Sequence, residues 1–292
     1  VVGLARATGW AERVWGRPVT TATPLRGGWT STMLRLTAAD GEQAVLRLLT
    51  RQPWRHHGSA LLGRESEVHT LLARTSVPSP RSLGVDPTGE LAGHPAHLMT
   101  HLPGALELRA CTDELLASLA GTLHDIHAVD PGPDRPREYE SWASPAKRVV
   151  PPWAARPGRW REAFARLDAG PPAYQGRFLH RDFHLGNVLW RDGCVSGVVD
   201  WVETSWGPAA LDVAHAATYL ALLHGGDAAE RFTTAYGQDD HEPYWALLDV
   251  VGYLPDPTKV ATPWRELGID VGDDLARRRL EDRLERVLSR AG

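Results

Sequence analysis

Between residues 20 and 100 the chain alternates short apolar runs with turn residues, and beyond 104 the apolar spacing lengthens to that of helices. Residues 4–15 carry helix-like spacing. Strands are expected over 23–26, 33–36 and 44–49, the last two separated by the turn at Asp40-Gly41. A helix over 59–74 sets Leu61, Leu62, Val68, Leu71 and Leu72 at its apolar positions. It stops before Val77-Pro78-Ser79-Pro80, because proline lacks the amide hydrogen that a helix interior needs. Two more strands, over 82–85 and 96–99, complete a small sheet with one inserted helix.

After Leu102-Pro103-Gly104 the pattern turns helical. The stretch 113–129 places Leu115, Leu116, Leu119, Leu123 and Ile126 on one stripe. A proline- and tryptophan-containing segment over 131–157 is expected to be irregular and surface-facing. Helical spacing resumes over 160–167, 209–223, 228–236 and 273–289. The expected class is α+β, with a small antiparallel-sheet lobe over 1–101 and a larger, mainly helical lobe over 102–292.

Composition narrows the possibilities. The 292 residues are 42% hydrophobic and 23% charged, ordinary for a folded protein. No window reaches the roughly eighteen uninterrupted apolar residues of a membrane span, and the first residues lack a basic-then-apolar leader. Two distant cysteines, Cys111 and Cys194, have no metal-ligand spacing and fit reduced thiols, so a cytoplasmic location is expected. With a net charge of −4 and no Lys/Arg run, no stripe exists to follow a nucleic-acid backbone. Lys147 and Lys259 are the only lysines among 32 basic residues, a bias toward arginine that bears on one candidate site below.

The densest chemistry is His180-Arg181-Asp182-Phe183-His184-Leu185-Gly186-Asn187, followed by the apolar run 195–199 that ends at Asp200. Short strands are expected on either side, at Phe178-Leu179 and Val188-Leu189-Trp190, which leaves the polar residues on a loop. Carboxylate, carboxamide and second carboxylate stand in the order used for phosphoryl transfer. One acid takes the proton of an attacking hydroxyl, and the other two groups hold magnesium. His180, Asp182 and His184 also alternate, a pattern that would suit zinc on one face of a strand. That zinc-hydrolase reading leaves Asn187 and Asp200 unexplained and finds no further His or Cys ligand.

On these residues the chain resembles the aminoglycoside phosphotransferase and choline kinase branch of the protein-kinase-like fold, from the glycine turn at Gly27 to about Ala214. The resemblance implies a bilobal fold that uses ATP or GTP with Mg2+. It assigns Asp182 to the acceptor hydroxyl, His180 to bracing the loop, and Asn187 and Asp200 to magnesium. It also implies that Gly27, Gly28, Thr30 and Ser31 fold over the phosphates, and that Met99, Thr100 and Leu102 form the hinge that receives the base. Asp212, in Gly207-Pro208-Ala209-Ala210-Leu211-Asp212, matches a structural position.

One position departs from the family. Where relatives carry a lysine for the α- and β-phosphates, this chain has Arg47, with Glu65 as its expected helix partner and Glu67 as the second choice. Arginine keeps the charge, but its planar fork is not interchangeable with an ammonium.

The stretch from Asp200 to the helix at Ala209 is too short for a protein kinase's activation segment, so a small hydroxylated acceptor is expected. Over 230–274 ten carboxylates face three basic residues, which would suit a cationic acceptor. Trp201, Glu203 and Trp206 are expected to wall its site. The reading that follows is an antibiotic kinase for an aminoglycoside or a basic cyclic peptide such as capreomycin or viomycin. Its alternatives are a macrolide enzyme, a metabolic kinase for choline, homoserine or a sugar, and a nucleotide-binding pseudokinase.

Overall fold

A computed structural model describes residues 2–25, 31–237 and 243–290 and divides the chain into two compact units. The first comprises residues 1–105, 189–191 and 196–204; the second comprises 106–188, 192–195 and 205–292. The sequence reading placed one boundary at 101/102. The grouping instead also assigns a returning stretch that carries Asp200 to the sheet-containing unit.

In the first unit, α1 (Val2–Trp15) precedes β1 (Val19–Pro24), β2 (Thr32–Ala38) and β3 (Gln43–Leu48). Next come α2 (Gly58–Leu72), β4 (Ser82–Asp86) and β5 (Ala96–Thr100). The five strands form an antiparallel sheet ordered β1-β2-β3-β5-β4. Trp10, Ala7 and Ala11 of α1 share a core with Leu34, Leu36, Leu46, Leu48 and Leu98 of the sheet. The central strand β3 is buried along nearly its whole length. Arg47, 6% exposed, lies opposite His97 of β5 in the ladder, and that pairing sets the local chemistry.

The chain then forms β6 (Ala105–Leu106), α3 (Asp113–His127), α4 (Pro157–Asp168) and β7 (Gly176–Leu179). The hairpin β8 (Val188–Arg191) and β9 (Cys194–Val198) turns on Asp192-Gly193, both left-handed at φ 53° and 79°, as a two-residue hairpin demands. Strand β10 (Ser205–Pro208) is followed by α5 (Ala210–His224), α6 (Gly226–Tyr236), α7 (Pro243–Gly252), α8 (Thr258–Glu266) and α9 (Asp273–Arg290).

In the second unit β7 and β10 pair antiparallel. Helix α5 is buried on all sides, from Leu211 to Leu223, and packs with α6, α7 and α9. A helix apolar all round belongs inside a core. Helix α3 starts at Thr112, whose hydroxyl accepts from the Leu115 amide at 3.3 Å, with Asp113 and Glu114 favourably placed in the first turn.

The segment 131–157 is irregular apart from two short 3-10 turns and most of its residues are exposed, as expected, but several of its side chains are anchored inward. Ala143 is 1% exposed, Trp142 stacks under Arg181, Lys147 bonds to Gly252 O, and the Trp153 indole bonds to Pro255 O. Its aromatic and lysine side chains find partners far along the chain, which the turn-rich spacing did not reveal.

Candidate active site

The loop between β7 and β8 is held by its own backbone and by α5. Asp212, fully buried in the first turn of α5, accepts the His180 amide through Oδ2 and the Arg181 amide through Oδ1, each at 2.8 Å. Arg181 sits at φ 72°, a conformation unusual for a residue other than glycine, and this clamp maintains it. Its guanidinium lies 4.3 Å from the centre of the Trp142 ring and donates to Glu140 O. His180 is fully buried and its Nδ1 accepts the Asp182 amide at 3.2 Å, a contact that braces the loop. Gly186 leaves no room for a side chain. A Cβ there would stand 2.8 Å from the His184 ring and 2.9 Å from the Tyr219 hydroxyl.

These constraints bring Asp182 and Asn187 together. Asn187 Nδ2 donates to Asp182 O at 2.9 Å and to Asp182 Oδ2 at 3.1 Å. Both amide hydrogens are thereby used, so Oδ1 is the atom left for a cation. A hard oxygen donor suits magnesium.

Asp182 Oδ1 faces two imidazoles, His215 Nε2 at 3.1 Å and His184 Nε2 at 3.5 Å. Burial pulls the Asp182 carboxyl upward, but His184 and His215 outweigh it and hold it well below the usual carboxylate range. The side chain is nonetheless 31% exposed, so a partner can reach it.

His215 bonds at its other nitrogen to Asp249 Oδ1 at 2.9 Å. Burial alone would lower the ring's value, but the Asp249 and Asp182 carboxylates overcome this and push it up to about 9. With both nitrogens donating to carboxylates, His215 is an imidazolium. The sequence reading missed His215 and Asp249. The available signal was a single histidine inside the apolar run 213–223 and a single carboxylate inside the run 245–254.

Asp182, His184 and His215 are close enough to one another to suggest a metal cluster. The proton arrangement argues otherwise. His184 Nδ1 accepts the Gly186 amide at 3.0 Å, which leaves the proton on Nε2, the atom that faces Asp182. A nitrogen that carries a proton has no lone pair for zinc. His180, the third residue of the alternating pattern, is committed to the Asp182 amide instead.

In the first unit Arg47 joins two carboxylates. It donates to Glu65 Oε1 at 2.8 Å and to Asp200 Oδ1 at 3.0 Å. Burial works to lower the guanidinium's value, and Asp200 and Glu65 reverse that and raise it. Glu65, 1% exposed, also accepts from His97 Nδ1 at 2.8 Å, and His97 Nε2 meets Ser82 Oγ at 3.0 Å. Arg47 therefore has the expected Glu65 partner, with His97 as a brace the sequence reading did not identify. Asp200 follows β9 at φ 67° and ψ 60°, a left-handed conformation that aspartate tolerates better than most residues. Arg47 bonds to Oδ1 of Asp200 and leaves Oδ2 as an oxygen donor of the kind magnesium takes.

The remaining expected residues fall in several places. Gly27, Gly28 and Thr30 lie outside the described residues, while Ser31 is buried. Met99 is buried on β5, and the Thr100 amide is already bonded to Arg81 O at 2.9 Å, so that amide is not free to bind a base. Leu102 is half-buried just beyond.

Trp201 requires a correction. It is fully buried, its indole N–H bonds to Val198 O at 2.9 Å, and so it is a core residue that cannot wall an acceptor site. Glu203 is half-buried. Trp206 is engaged too, stacked with Arg135 at 4.9 Å and seated against Gly176 of the paired strand.

Four of the ten carboxylates of the acidic stretch pair with arginines. Asp256 and Asp274 pair with Arg277, Asp273 with Arg265, and Glu230 with Arg283. Asp239, Asp240 and Glu242 lie outside the described residues.

Residues 21–248 match the phosphotransferase enzyme family, and the chain belongs to it. It has the kinase-like α+β fold of its structural neighbours and is an ATP-dependent phosphotransferase. One similar structure is a thermostable mutant of aminoglycoside phosphotransferase APH(4)-Ia in ternary complex with ADP and hygromycin B. It is 16% identical with a TM-score of 0.65, over 98% of this chain and 99% of that one. Macrolide 2'-phosphotransferase MphH from Brachybacterium faecium is 19% identical with a TM-score of 0.59, over 97% and 98%. Amicoumacin kinase hAmiN, in complex with AMP-PNP, Ca2+ and Ami, is 13% identical with a TM-score of 0.56, over 91% and 88%. No curated protein sequence matches the chain. Among the described residues no helix is long and apolar enough to cross a membrane.

Proposed function

We propose that this protein transfers the γ-phosphoryl group of ATP to a hydroxyl of a small antibiotic. The observation that carries the reading is the clamped loop. It presents Asp182 as an ionised, partly exposed carboxylate bonded to Asn187, in a chain of the phosphotransferase enzyme family.

Magnesium, when bound, neutralises phosphate charge; its ligands are assigned to Asn187 Oδ1 and Asp200. Asp182 receives the acceptor's O–H and aims its oxygen at phosphorus. As the bond from that oxygen to Pγ forms, the bond from Pγ to the bridging oxygen breaks and its electron pair leaves with ADP. The hydroxyl proton passes to Asp182 and then to solvent. Asp182 is held too acidic to be a strong base, which suits a loose transition state in which positioning outweighs proton abstraction. Arg47, already charged and braced by Glu65 and His97, is assigned to the nucleotide phosphates.

The acceptor class rests on the neighbours, which act on or bind aminoglycoside, macrolide and amicoumacin molecules. A cationic acceptor, expected from the acidic stretch, has less support now that arginines pair with four of its ten carboxylates. The test is mass spectrometry of hygromycin B, capreomycin, a macrolide, choline and homoserine, each incubated with the protein, Mg2+ and ATP. One added phosphoryl group on an antibiotic is the expected result. Phosphorylation of choline or homoserine alone would replace the antibiotic reading with a metabolic one.

A further inference from the structure

We propose that His215, held by Asp249, is the positioning residue of the reaction: the chain Asp249–His215–Asp182 sets the orientation of the carboxylate that receives the acceptor hydroxyl. The inference rests on the reading of Asp182 given above and goes beyond it, because it assigns roles to two residues outside the loop motif.

The geometry is specific. His215 Nε2 reaches Asp182 Oδ1 at 3.1 Å, while Asn187 holds Oδ2 at 3.1 Å, so each oxygen of the carboxylate has its own donor. Two fixed donors define the plane of a carboxylate, which a single one does not. The imidazole in turn is fixed by Asp249 Oδ1 at 2.9 Å and lies against the Tyr253 ring, with centres 6.0 Å apart, and the edge of Trp142 at 5.1 Å. A ring held at both nitrogens and on its faces cannot turn its donor away from Asp182.

Asp249 supplies the second argument. It is 6% exposed, and among the described residues its Oδ2 has no hydrogen-bond partner. A buried carboxylate oxygen left unpaired costs stability. Asp249 would be better replaced by an apolar residue if α7 needed only to pack. What it does contribute is the bond to His215, which keeps both ring protons in place.

The charged and titratable groups around the ring agree with this. From the loop come Asp182 and His184; from α7 and the turn after it come Asp249 and Tyr253; α5 itself contributes Tyr219. Lys259 of α8 and Arg283 of α9 act on Asp249 from further away. The two carboxylates in contact with the ring favour its cationic form, which is the form that donates at both nitrogens.

The experiment measures magnesium-ATP hydrolysis, with water as the acceptor, for D182N, H215G, H215Q and D249N. Folding is followed in parallel by thermal melting. Expected are a loss of turnover of about 100-fold for H215G, the scale of a misplaced reacting group, an unchanged KM for ATP, and recovery when imidazole is added. H215Q, which can still donate one hydrogen bond to Asp182, should retain more turnover than H215G. D249N should lower turnover in the same direction at constant KM, and it decides the matter if H215G does not fold.

Wild-type turnover in H215G and D249N, with D182N inactive, overturns the role of His215 and leaves Asp182's intact. Loss in H215G that imidazole does not restore and that follows the melting temperature means a structural role only, and also overturns the proposal. Unimpaired D182N removes the reading of Asp182, and this inference falls with it.

Discussion

Arg47 on β3 reaches Asp200 Oδ1 at 3.0 Å, a bond between residues 153 positions apart in sequence. One terminal nitrogen of Arg47 donates to both Glu65 and Asp200 and the other also lies 3.0 Å from Asp200 Oδ1, a flat fork of fixed geometry that a lysine ammonium, though it has three donors, does not reproduce. The arginine that departs from the family pattern therefore links the helix glutamate to the strand-end aspartate within the first unit.

This link makes Arg47→Ala a two-part test. Removing the cation leaves the buried Glu65 carboxylate without its guanidinium, though still bonded to His97, and takes the same partner from Asp200, so unfolding free energy should fall by about 3–5 kcal/mol, the cost of breaking a buried pair from one side. If Arg47 also contacts phosphate, the KM for ATP of the folded fraction should rise at least tenfold. A lower melting temperature with an unchanged KM for ATP would confine Arg47 to a structural role. Arg47→Lys should fall between the two, keeping the charge but losing the planar fork.

Trp201 separates packing from recognition. Trp201→Ala should destabilise the protein by about 3–5 kcal/mol, as for other large aromatic side chains removed from a core. Trp201→Phe, milder, loses the bond to Val198 O and should leave the KM for any acceptor unchanged. A selective rise in acceptor KM for the folded phenylalanine variant would return Trp201 to the acceptor site.

Much of the fold was legible because its elements obey local rules. The strands around Leu34, Leu46 and Leu98 announce themselves by apolar runs between turns, and the leucine stripe of α3 by its period. The loop motif was legible because its members lie within eight residues. What stayed hidden was whatever long-range packing decides. His97 enters the site only because β5 lies beside β3, and His215 and Asp249 only because α5 packs on α7. Helices α7 and α8 were missed because a run as apolar as 245–254 shows no amphipathic period, and Pro263 interrupts the other. Trp201 was misplaced because a tryptophan next to a motif looks the same on paper whether it faces a ligand or a core.

Two histidines with opposite shifts predict a stability optimum near pH 6.5. His69, fully buried and, among the described residues, without a hydrogen-bond partner at either ring nitrogen, is lowered by burial to about 3. Its folded value lies below the unfolded one of about 6.5, so the unfolded chain binds the extra proton. Its share of stability is full above pH 6.5 and shrinks as pH falls toward 3. His215, raised to about 9, behaves oppositely, full below pH 6.5 and lost as pH climbs toward 9. Denaturant melts from pH 5 to 9 should show both limbs. His69→Leu should flatten the acid limb and add about 1 kcal/mol by removing unpaired buried nitrogens, while His215→Gln should flatten the alkaline limb. Parallel curves for a variant and its parent would refute the assignment of that limb.

The chain's two lysines meet at one atom. Lys147 Nζ donates to Gly252 O at 2.8 Å and Lys259 Nζ to the same oxygen at 3.3 Å, at the C-terminal end of α7 where the helix dipole is negative. Two ammonium groups on one carbonyl repel each other. Burial first, and then the charge on Lys147, lowers Lys259 to about 8, and burial lowers Lys147 too. A lowered value means more free amine near neutrality. A lysine-specific acylating reagent at pH 8 should therefore label Lys259, read by peptide mass spectrometry, several times faster than a free lysine side chain. Lys147→Ala removes the repelling charge and should raise Lys259 toward its ordinary value, slowing its acylation at pH 8. Labelling of Lys259 at an undiminished rate in that variant would show that burial alone, and not the second ammonium, sets its reactivity.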